Sequence, residues 1–299
     1  MKTGGFFMFI NTINNKLSRG KETIDYGVKL IGAPLEWNET MGEGIKIGVI
    51  DTGVDVNHPD LKDRIAEYIN FSGDGTLEDL SGHGTHVCGI LAASYNGIGI
   101  IGVAPKAELY VAKAFKKDGS GDSKAIADSI EWLISKKVHV INMSFASDKE
   151  SMLIYEKVKK AYDEGIILVA AAGNDGAGNS IGYPAKWKEV IAVTAVDFQE
   201  KLVDFSSYGK EAKLAAAGKE IYSTYPGGGY KKLSGTSMAA PLISGAAALM
   251  QGKAKKRFSR FLTPREMELL LYMYADDFGE KGKDDRFGYG IFSFDRINR

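Results

Sequence analysis

The chain has 299 residues, and 44% of them are hydrophobic, which is enough apolar material for a large buried core. We expect one large α/β domain rather than two ordinary ones. The 38 basic and 38 acidic side chains give a formal net charge of zero, so neither nucleic acid nor an anionic membrane is expected as the main partner. The basic run at 253–260 is typical of a solvated face or loop.

The first ten residues contain one lysine and a short apolar patch at 6–10, but the polar residues 11–15 follow without a small-residue cleavage site. This pattern argues against a secretory signal peptide. No apolar run approaches the roughly 18 residues needed to cross a bilayer. The one cysteine, Cys88, rules out an internal disulfide and fits a reducing compartment, although many secreted bacterial enzymes also lack disulfides. The sequence therefore favours a cytoplasmic protein, with secretion as the alternative.

Apolar, β-branched runs alternate with helix-length segments along the chain. Buried strands are predicted at 45–50, 108–113, 138–143, 166–171 and 190–195, and helices at 83–93, 123–136 and 150–164. Such alternation indicates a mainly parallel sheet with helices on both faces, which is a three-layer αβα sandwich. The turn-rich stretches 71–82 and 173–182 are predicted to be surface loops rather than domain boundaries.

Three short motifs follow one another in the order Asp, His, Ser. Asp51 ends the first predicted strand, and His83 begins the first predicted helix. Ser237 lies in the segment Gly-Thr-Ser-Met-Ala-Ala-Pro, which predicts a nucleophile at a helix start, where the helix dipole favours an oxyanion. Pro241 is expected in the first turn of this helix, where proline is tolerated because the first-turn amides lack intrahelical partners. A serine attacks well only when an imidazole takes its proton and a carboxylate orients that imidazole, so the three motifs together predict acyl transfer.

Single motifs have simpler interpretations. Asp51 alone could merely cap a neighbouring helix. His83, His86 and Cys88 could form a metal cluster, but residues five apart do not share a helical face. Cys88 is therefore expected to be a small buried helix residue. The three motifs in this order favour catalysis.

The motifs and their order resemble those of subtilisin-type serine peptidases, and the resemblance extends from about residue 26 to residue 291. It implies a subtilisin-like fold and a serine endopeptidase that acts on polypeptides, with Asp51, His83 and Ser237 as its catalytic triad. By the same resemblance, Asn174 in the segment Ala-Ala-Gly-Asn donates its side-chain amide to the oxyanion, beside the backbone N–H of Ser237.

The resemblance also implies a groove in which the substrate adds as a strand between two backbone edges. One edge is formed by Gly119, Ser120 and Gly121, and the other by Ser144, Phe145 and Ala146. The S1 pocket would also use Ala171, Ala172, Gly173, Ile181 and Gly182. These small and apolar residues predict a large apolar P1 side chain. Asp175 could instead favour lysine or arginine from the pocket rim, or it could be a solvated loop acid.

A calcium site is implied in the same way. Its side-chain ligands would be Glu22, Asp60 and Asn96, and its carbonyl ligands would come from Ser94, Ile98 and Ile100. Such an oxygen-rich set suits Ca²⁺, and a polar loop without metal is the alternative. Lys213 stands where many relatives have the aspartate of a weaker cation site, so we expect no second site.

The layout resembles that of the intracellular subtilisins, in which a short N-terminal extension lies across the active site until it is removed. We expect residues 1–20 to form such an inhibitory leader and residues 21–299 to form the peptidase domain. The apolar patch at 6–10 would dock in the cleft, although it lacks the proline of the usual extension. The rival functions are a non-catalytic peptide-binding module on the same fold and a secreted peptidase. Some relatives dimerise, which leaves a homodimer open.

Overall fold

The computed structural model describes residues 22–298, in which one large sheet lies between two layers of helices. The strands of this sheet are β1 (Lys46–Asp51), β2 (Ile65–Asn70), β3 (Glu108–Lys113), β4 (Val140–Met143), β5 (Ile167–Ala171), β6 (Ile191–Val196), β7 (Leu214–Ala217), β10 (Ala275–Asp276) and β11 (Ile291–Phe292). A separate hairpin consists of β8 (Ile221–Tyr225) and β9 (Gly229–Leu233). Over this range the sheet order is β10-β11-β7-β6-β5-β4-β1-β3-β2.

The helices are α1 (Tyr26–Leu30), α2 (Ala33–Glu36), α3 (His83–Ala92), α4 (Ser123–Ser135), α5 (Met152–Asp163), α6 (Thr236–Phe258) and α7 (Pro264–Met273), followed by a 3₁₀ helix at Phe294–Asn298. Side-chain caps fix several of their starts. Asp122 accepts the N–H of Ala125 at the start of α4, and Thr263 forms a capping box with Glu266 at the start of α7. Among the helices of residues 22–298, none combines the length and apolarity that crossing a membrane requires.

Every neighbouring pair in the large sheet is parallel except β10 with β11. Side chains of β1 and β5 alternate between two buried clusters because successive residues of a strand point to opposite faces. Ile167 and Val169 pack in the cluster that contains α3 and α6, whereas Leu168 and Ala170 pack in the cluster that contains α4 and α5. The predicted three-layer αβα sandwich is therefore confirmed.

The five predicted strands and three predicted helices all occur, with ends that differ by no more than two residues from the predicted ones. β2 was missed because its residues are half-exposed or exposed and lack the apolar run of a buried strand. Pro241 was placed in the first turn of its helix, but α6 begins at Thr236 and Pro241 is its sixth residue. The predicted leader at 1–20 lies outside the described residues, so its boundary with the peptidase domain remains a prediction.

Candidate active site

The predicted acid and base come from two elements that meet at the carboxyl edge of the sheet. Asp51 is the last residue of β1 and is buried, and His83 is the first residue of α3. The Nδ1 atom of His83 lies 2.7 Å from Oδ1 of Asp51, and the backbone N–H of Thr52 donates to the same oxygen at 2.8 Å. With Nδ1 directed at the carboxylate, Nε2 is left to exchange a proton with another group.

The pKa of His83 reflects two opposing effects. Burial lowers the pKa, but the charge and hydrogen bond of Asp51, and then the charge of Asp79, raise it, so the net shift is upward from the ordinary value of 6.5. The pair therefore favours the imidazolium form, which is the form that a histidine adopts after accepting a proton from a serine.

Asp79 was not singled out from the sequence, because it lies in a stretch predicted to be a surface loop. Its Oδ1 accepts hydrogen bonds from the Thr52 hydroxyl and the Gly82 N–H, both at 2.8 Å. Its Oδ2 accepts from the N–H of Thr85 at 2.8 Å and from the Thr85 hydroxyl at 2.7 Å. Asp79 thus caps the start of α3 and joins it to the residue that follows Asp51. The sequence signal that could have identified Asp79 is a carboxylate a few residues before a predicted helix.

The N-cap residue of α3, Gly82, explains why the carboxylate of Asp79, three residues earlier, caps the helix. Gly82 has no side chain to accept a helix N–H, and its φ of +86° is in the left-handed region that favours glycine. A Cβ atom at this position would lie 2.4 Å from the ring of Tyr225. Packing against β8 therefore requires glycine immediately before His83, and Asp79 provides the cap.

Ser237 is the second residue of α6 and reaches the same edge of the sheet. Its hydroxyl donates to the backbone carbonyl of Ser144 at 3.0 Å. Within residues 22–298, no hydrogen bond joins it to His83. The structure therefore holds the serine hydroxyl on the end of β4 rather than on the imidazole.

Asn174 follows β5 and contacts the start of α6. Its Oδ1 accepts the N–H of Thr236 at 2.9 Å and the Thr236 hydroxyl at 3.1 Å, and no partner in the described part of the chain occupies its Nδ2 group. A Cβ atom built on Gly235 would lie 3.5 Å from Nδ2 and 3.8 Å from Oδ1 of Asn174, and 3.7 Å from the backbone N of Ser237. Two N–H donors therefore border one small space beside Ser237.

A cavity of about 780 Å³ opens next to Ser237 and Asn174. Six residues predicted for the substrate groove line it, namely Phe145, Ala146, Ala171, Gly173, Ile181 and Gly182. Polar and charged residues that were not predicted also line it, namely Ser147, Asp148, Asn179, Ser180, Lys186 and Thr236. Asp175, which was predicted for the pocket rim, lines it as well. The cavity thus has an apolar part and a charged rim.

The other predicted groove residues lie around this cavity rather than in its lining. Ala172 is buried, and its carbonyl accepts the N–H of Gly182 at 3.0 Å. Ser144 is buried beneath Ser237, with its hydroxyl 2.9 Å from the Ser237 carbonyl. The segment containing Gly119, Ser120 and Gly121 forms an exposed turn after β3. Phe115, which precedes this turn, packs on Phe145 with a centroid distance of 4.9 Å.

The predicted calcium ligands form one cluster away from the cavity. Glu22 accepts the N–H groups of Asn96 and Gly97 at 2.7 and 2.9 Å. Asp60 accepts the amide of Asn96 at 3.1 Å and the N–H of Ile100 at 3.0 Å, and its carbonyl accepts the N–H of Ser94 at 2.8 Å. The N–H of Ile98 donates to the Asn96 side chain at 3.1 Å. Lys213, in contrast, pairs with Glu268 and donates to the Lys188 carbonyl at 2.7 Å.

A parallel sheet of this order with an aspartate, a histidine and a helix-borne serine at its carboxyl edge defines a class of serine peptidase. Residues 42–290 match the model of the peptidase S8, or subtilase, family, and the chain belongs to this family. It is a subtilisin-type serine peptidase that acts on polypeptides.

Several characterised proteins are similar to the chain. It is 43% identical to the intracellular serine protease of Paenibacillus polymyxa over 253 residues, which cover 82% of this chain and 78% of that one. It is 39% identical to the major intracellular serine protease of Bacillus subtilis (strain 168) over 274 residues, covering 88% and 86%. It is 45% identical to subtilisin DY of Bacillus licheniformis over 237 residues, covering 78% and 86%.

Proposed function

We propose that the chain is an endopeptidase that uses Asp51, His83 and Ser237 as a catalytic triad and Asn174 as an oxyanion donor. The observation that carries this proposal is the 2.7 Å contact between His83 and Asp51, with Ser237 and the Asn174 amide at the same edge of the sheet. A charge-paired histidine and a serine hydroxyl at a helix start are parts that acyl transfer to serine requires.

In the proposed mechanism, the Ser237 hydroxyl first turns from the Ser144 carbonyl to Nε2 of His83. His83 accepts the hydroxyl proton as Oγ attacks the scissile carbonyl carbon, and Asp51 stabilises the imidazolium that forms. The carbonyl oxygen becomes an oxyanion in the space bordered by the Asn174 amide and the Ser237 N–H. His83 then protonates the leaving amine as the peptide C–N bond breaks. In deacylation His83 takes a proton from water as the water attacks the acyl carbon, and it returns that proton to Ser237 Oγ as the ester C–O bond breaks.

We expect a large apolar P1 side chain to fill the cavity. The small or apolar residues Ala171, Gly173, Ile181 and Gly182 line its apolar part, where burial of apolar surface favours binding. The alternative P1 residue is lysine or arginine. Its stem would be buried, and its charge would stay at the rim near the acids Asp148 and Asp175.

The residues of the Glu22 and Asp60 cluster fit a bound Ca²⁺. Burial, and then repulsion from Asp60, raise the pKa of Glu22 despite two backbone hydrogen bonds that lower it. Among the described ion pairs, none gives either carboxylate a basic partner. A cation would relieve this repulsion and join the N-terminal end of the domain to the 94–100 loop. The Asn96 side chain donates its Nδ2 to Asp60, and a flip of this amide would direct its oxygen toward the cation instead.

We place the enzyme in the cytoplasm because two of its similar proteins are named intracellular proteases. Secretion is the alternative, since the minor extracellular protease Epr of Bacillus subtilis (strain 168) is also similar, at 36% identity over 283 residues. Activity that appears in the culture medium rather than in the cell lysate would favour the alternative. An inhibitory leader at 1–20 is also part of the proposal, and a homodimer is left open.

The triad is tested by labelling the purified protein with a serine-directed fluorophosphonate. The parent chain is expected to be labelled and to cleave peptides that vary at P1, with phenylalanine or leucine favoured. Ser237→Ala should lose both properties because the nucleophile is gone. Ser234→Ala, which removes a nearby hydroxyl that accepts the Glu220 N–H, is the matched control and should keep them. Labelling that persists in Ser237→Ala would overturn the proposal.

A further inference from the structure

The first turn of α6 lacks one backbone hydrogen bond, at the carbonyl of Ser237. In an α-helix the carbonyl of residue i accepts the N–H of residue i+4. The residue four positions after Ser237 is Pro241, which lies inside the helix and has no N–H. The Ser237 carbonyl therefore cannot make its normal helical hydrogen bond.

Ser144, at the end of β4, supplies the missing donor. Its hydroxyl donates to the Ser237 carbonyl at 2.9 Å, while its own carbonyl accepts the Ser237 hydroxyl at 3.0 Å. One residue thus contacts both the backbone and the side chain of Ser237. A buried carbonyl without any donor would lower the stability of the fold. The Ser144 hydroxyl supplies the donor that the Ser237 carbonyl needs.

Two further buried side chains set the direction of the Ser144 hydroxyl. Asn142 donates its Nδ2 to Oγ of Ser144 at 2.9 Å, and Ser244 on α6 donates its hydroxyl to Oδ1 of Asn142 at 2.8 Å. Because Asn142 occupies an acceptor site of the Ser144 oxygen, the Ser144 proton is left to point at Ser237. The donors run in one sense, from Ser244 through Asn142 and Ser144 to the Ser237 carbonyl.

Ser244, Asn142 and Ser144 form a relay of hydrogen bonds that is buried in the interior of the protein. Asn142 and Ser244 are 0% exposed and Ser144 is 4% exposed, and apolar residues of β4, β5 and α6 surround them. Burying polar groups in such surroundings is unfavourable unless they are hydrogen-bonded to one another. The relay ends on the helix turn that contains the Ser237 N–H, one of the two donors beside the reacting space.

We propose that Ser144, Asn142 and Ser244 are positioning residues. They replace the hydrogen bond that Pro241 cannot make, and they hold the first turn of α6 in position relative to His83 and Asn174. This inference rests on the proposed triad mechanism. An error of about 1 Å in the placement of reacting groups can cost about 100-fold in rate. The relay should therefore act on turnover, with little effect on substrate affinity.

The test compares Ser144→Ala with the double variant Ser144→Ala/Pro241→Ala. Removing the Ser144 hydroxyl should lower kcat and the rate of fluorophosphonate labelling by about tenfold or more with KM unchanged, because the turn is displaced while the cavity is intact. Alanine at position 241 restores a backbone N–H four residues after Ser237. The double variant should therefore recover most of the lost rate, whereas Pro241→Ala alone should stay near the parent.

The control is the same Pro241→Ala change in an Asn174→Ala background, where it should recover nothing, because it cannot supply the missing oxyanion donor. If Ser144→Ala does not fold, Ser244→Ala and Ser244→Ala/Pro241→Ala are measured in its place, with a smaller loss and the same recovery expected. A lowered melting temperature with unchanged kcat, or a loss that Pro241→Ala does not recover, would overturn the relay. An inactive, unlabelled parent chain would instead overturn the triad proposal itself.

Discussion

At the scale of single residues, the Asn174 side chain has one end fixed and one end free. Thr236 occupies its oxygen through two hydrogen bonds, so the amide N–H₂ is the end directed at the space beside Ser237. Thr236 in turn contacts the backbone of Gly173 at 3.1 and 3.2 Å. The start of α6 and the end of β5 therefore orient the donor before a substrate arrives, which is the condition for effective stabilisation of an oxyanion.

Asn174→Ala should lower kcat by about 10²–10³-fold with little change in KM, a magnitude taken from the loss of such a donor in a subtilisin. The donor acts on charge that develops only in the transition state, so substrate binding is spared. Steady-state kinetics on one peptide checks this. Asn179→Gly, at the rim of the same cavity, should leave kcat nearly unchanged. An effect on KM alone would remove Asn174 from the oxyanion role.

The pH profile should report the His83–Asp51 pair. Only neutral His83 can accept the serine proton, so kcat/KM falls as pH drops through the pKa of His83. Because Asp51 raises that pKa, the midpoint of the acid limb is expected above 6.5. Asp51→Asn should move the midpoint down and lower kcat by about 10⁴-fold. Asp175→Asn is the control, and an equal shift in that variant would argue against a specific Asp51 effect.

At the scale of elements, α3 and the β8–β9 hairpin form one unit that connects His83 to the start of α6 and Ser237. Ser223 and Thr224 donate to the carbonyls of His86 and Thr85 at 2.7 Å, and His86 contacts the carbonyls of Ile221 and Lys231 at 3.0 Å. The hairpin then leads directly into α6 and Ser237. The basic run at 253–260, predicted to be a solvated face or loop, is exposed from residue 255 onward and also pairs with acids, including Lys253 with Glu36 at 2.8 Å.

The proposed calcium ligands contact the same hairpin, because the Tyr230 hydroxyl donates to Asp60 at 2.9 Å. A ligand that binds only the folded state stabilises it by about 2.7 kcal/mol at about 100 times Kd. We therefore expect chelation to lower the melting temperature of the Ser237→Ala protein, which cannot digest itself. Adding Asp60→Ala should abolish the response to calcium, and Asp163→Ala, an exposed acid on α5, should retain it. A full response in the Asp60 variant would remove Asp60 from the site.

At the scale of the whole molecule, we expect the leader at 1–20 to inhibit the enzyme until it is cleaved between residues 15 and 21. A tethered segment has an effective concentration in the millimolar range, so weak contacts are enough to block the cleft. Glu22 contacts the 94–100 loop, so a cut near Leu17 should disturb this cluster less than a cut near Lys21. The full chain and a chain that starts at Ser18 are compared on one peptide in calcium. Equal initial rates, with the leader still attached by mass spectrometry, would show that it does not inhibit.

The sequence by itself determined the class of fold and the positions of the three motifs. Buried parallel strands such as β4 and β5 are short apolar runs, and α4 has helical periodicity, so each carries its own local signal. Asp51, His83 and Ser237 could be selected as candidate site residues because their motifs and the order of these motifs are read directly from the sequence, without knowledge of contacts. β2 and the β8–β9 hairpin carry no comparable signal, since their side chains are largely exposed or polar.

Only the tertiary structure decided which polar groups support the motifs. The Asp79 carboxylate accepts the hydroxyl of Thr52, which lies 27 residues earlier, and the partners Asn142 and Ser244 are 102 residues apart in the chain. The defect at Pro241 and its repair by Ser144 also depend on where α6 begins and on the proximity of β4. Hydrogen bonds between distant residues leave no periodic pattern in a sequence, because their geometry exists only once the sheet and its helices are packed.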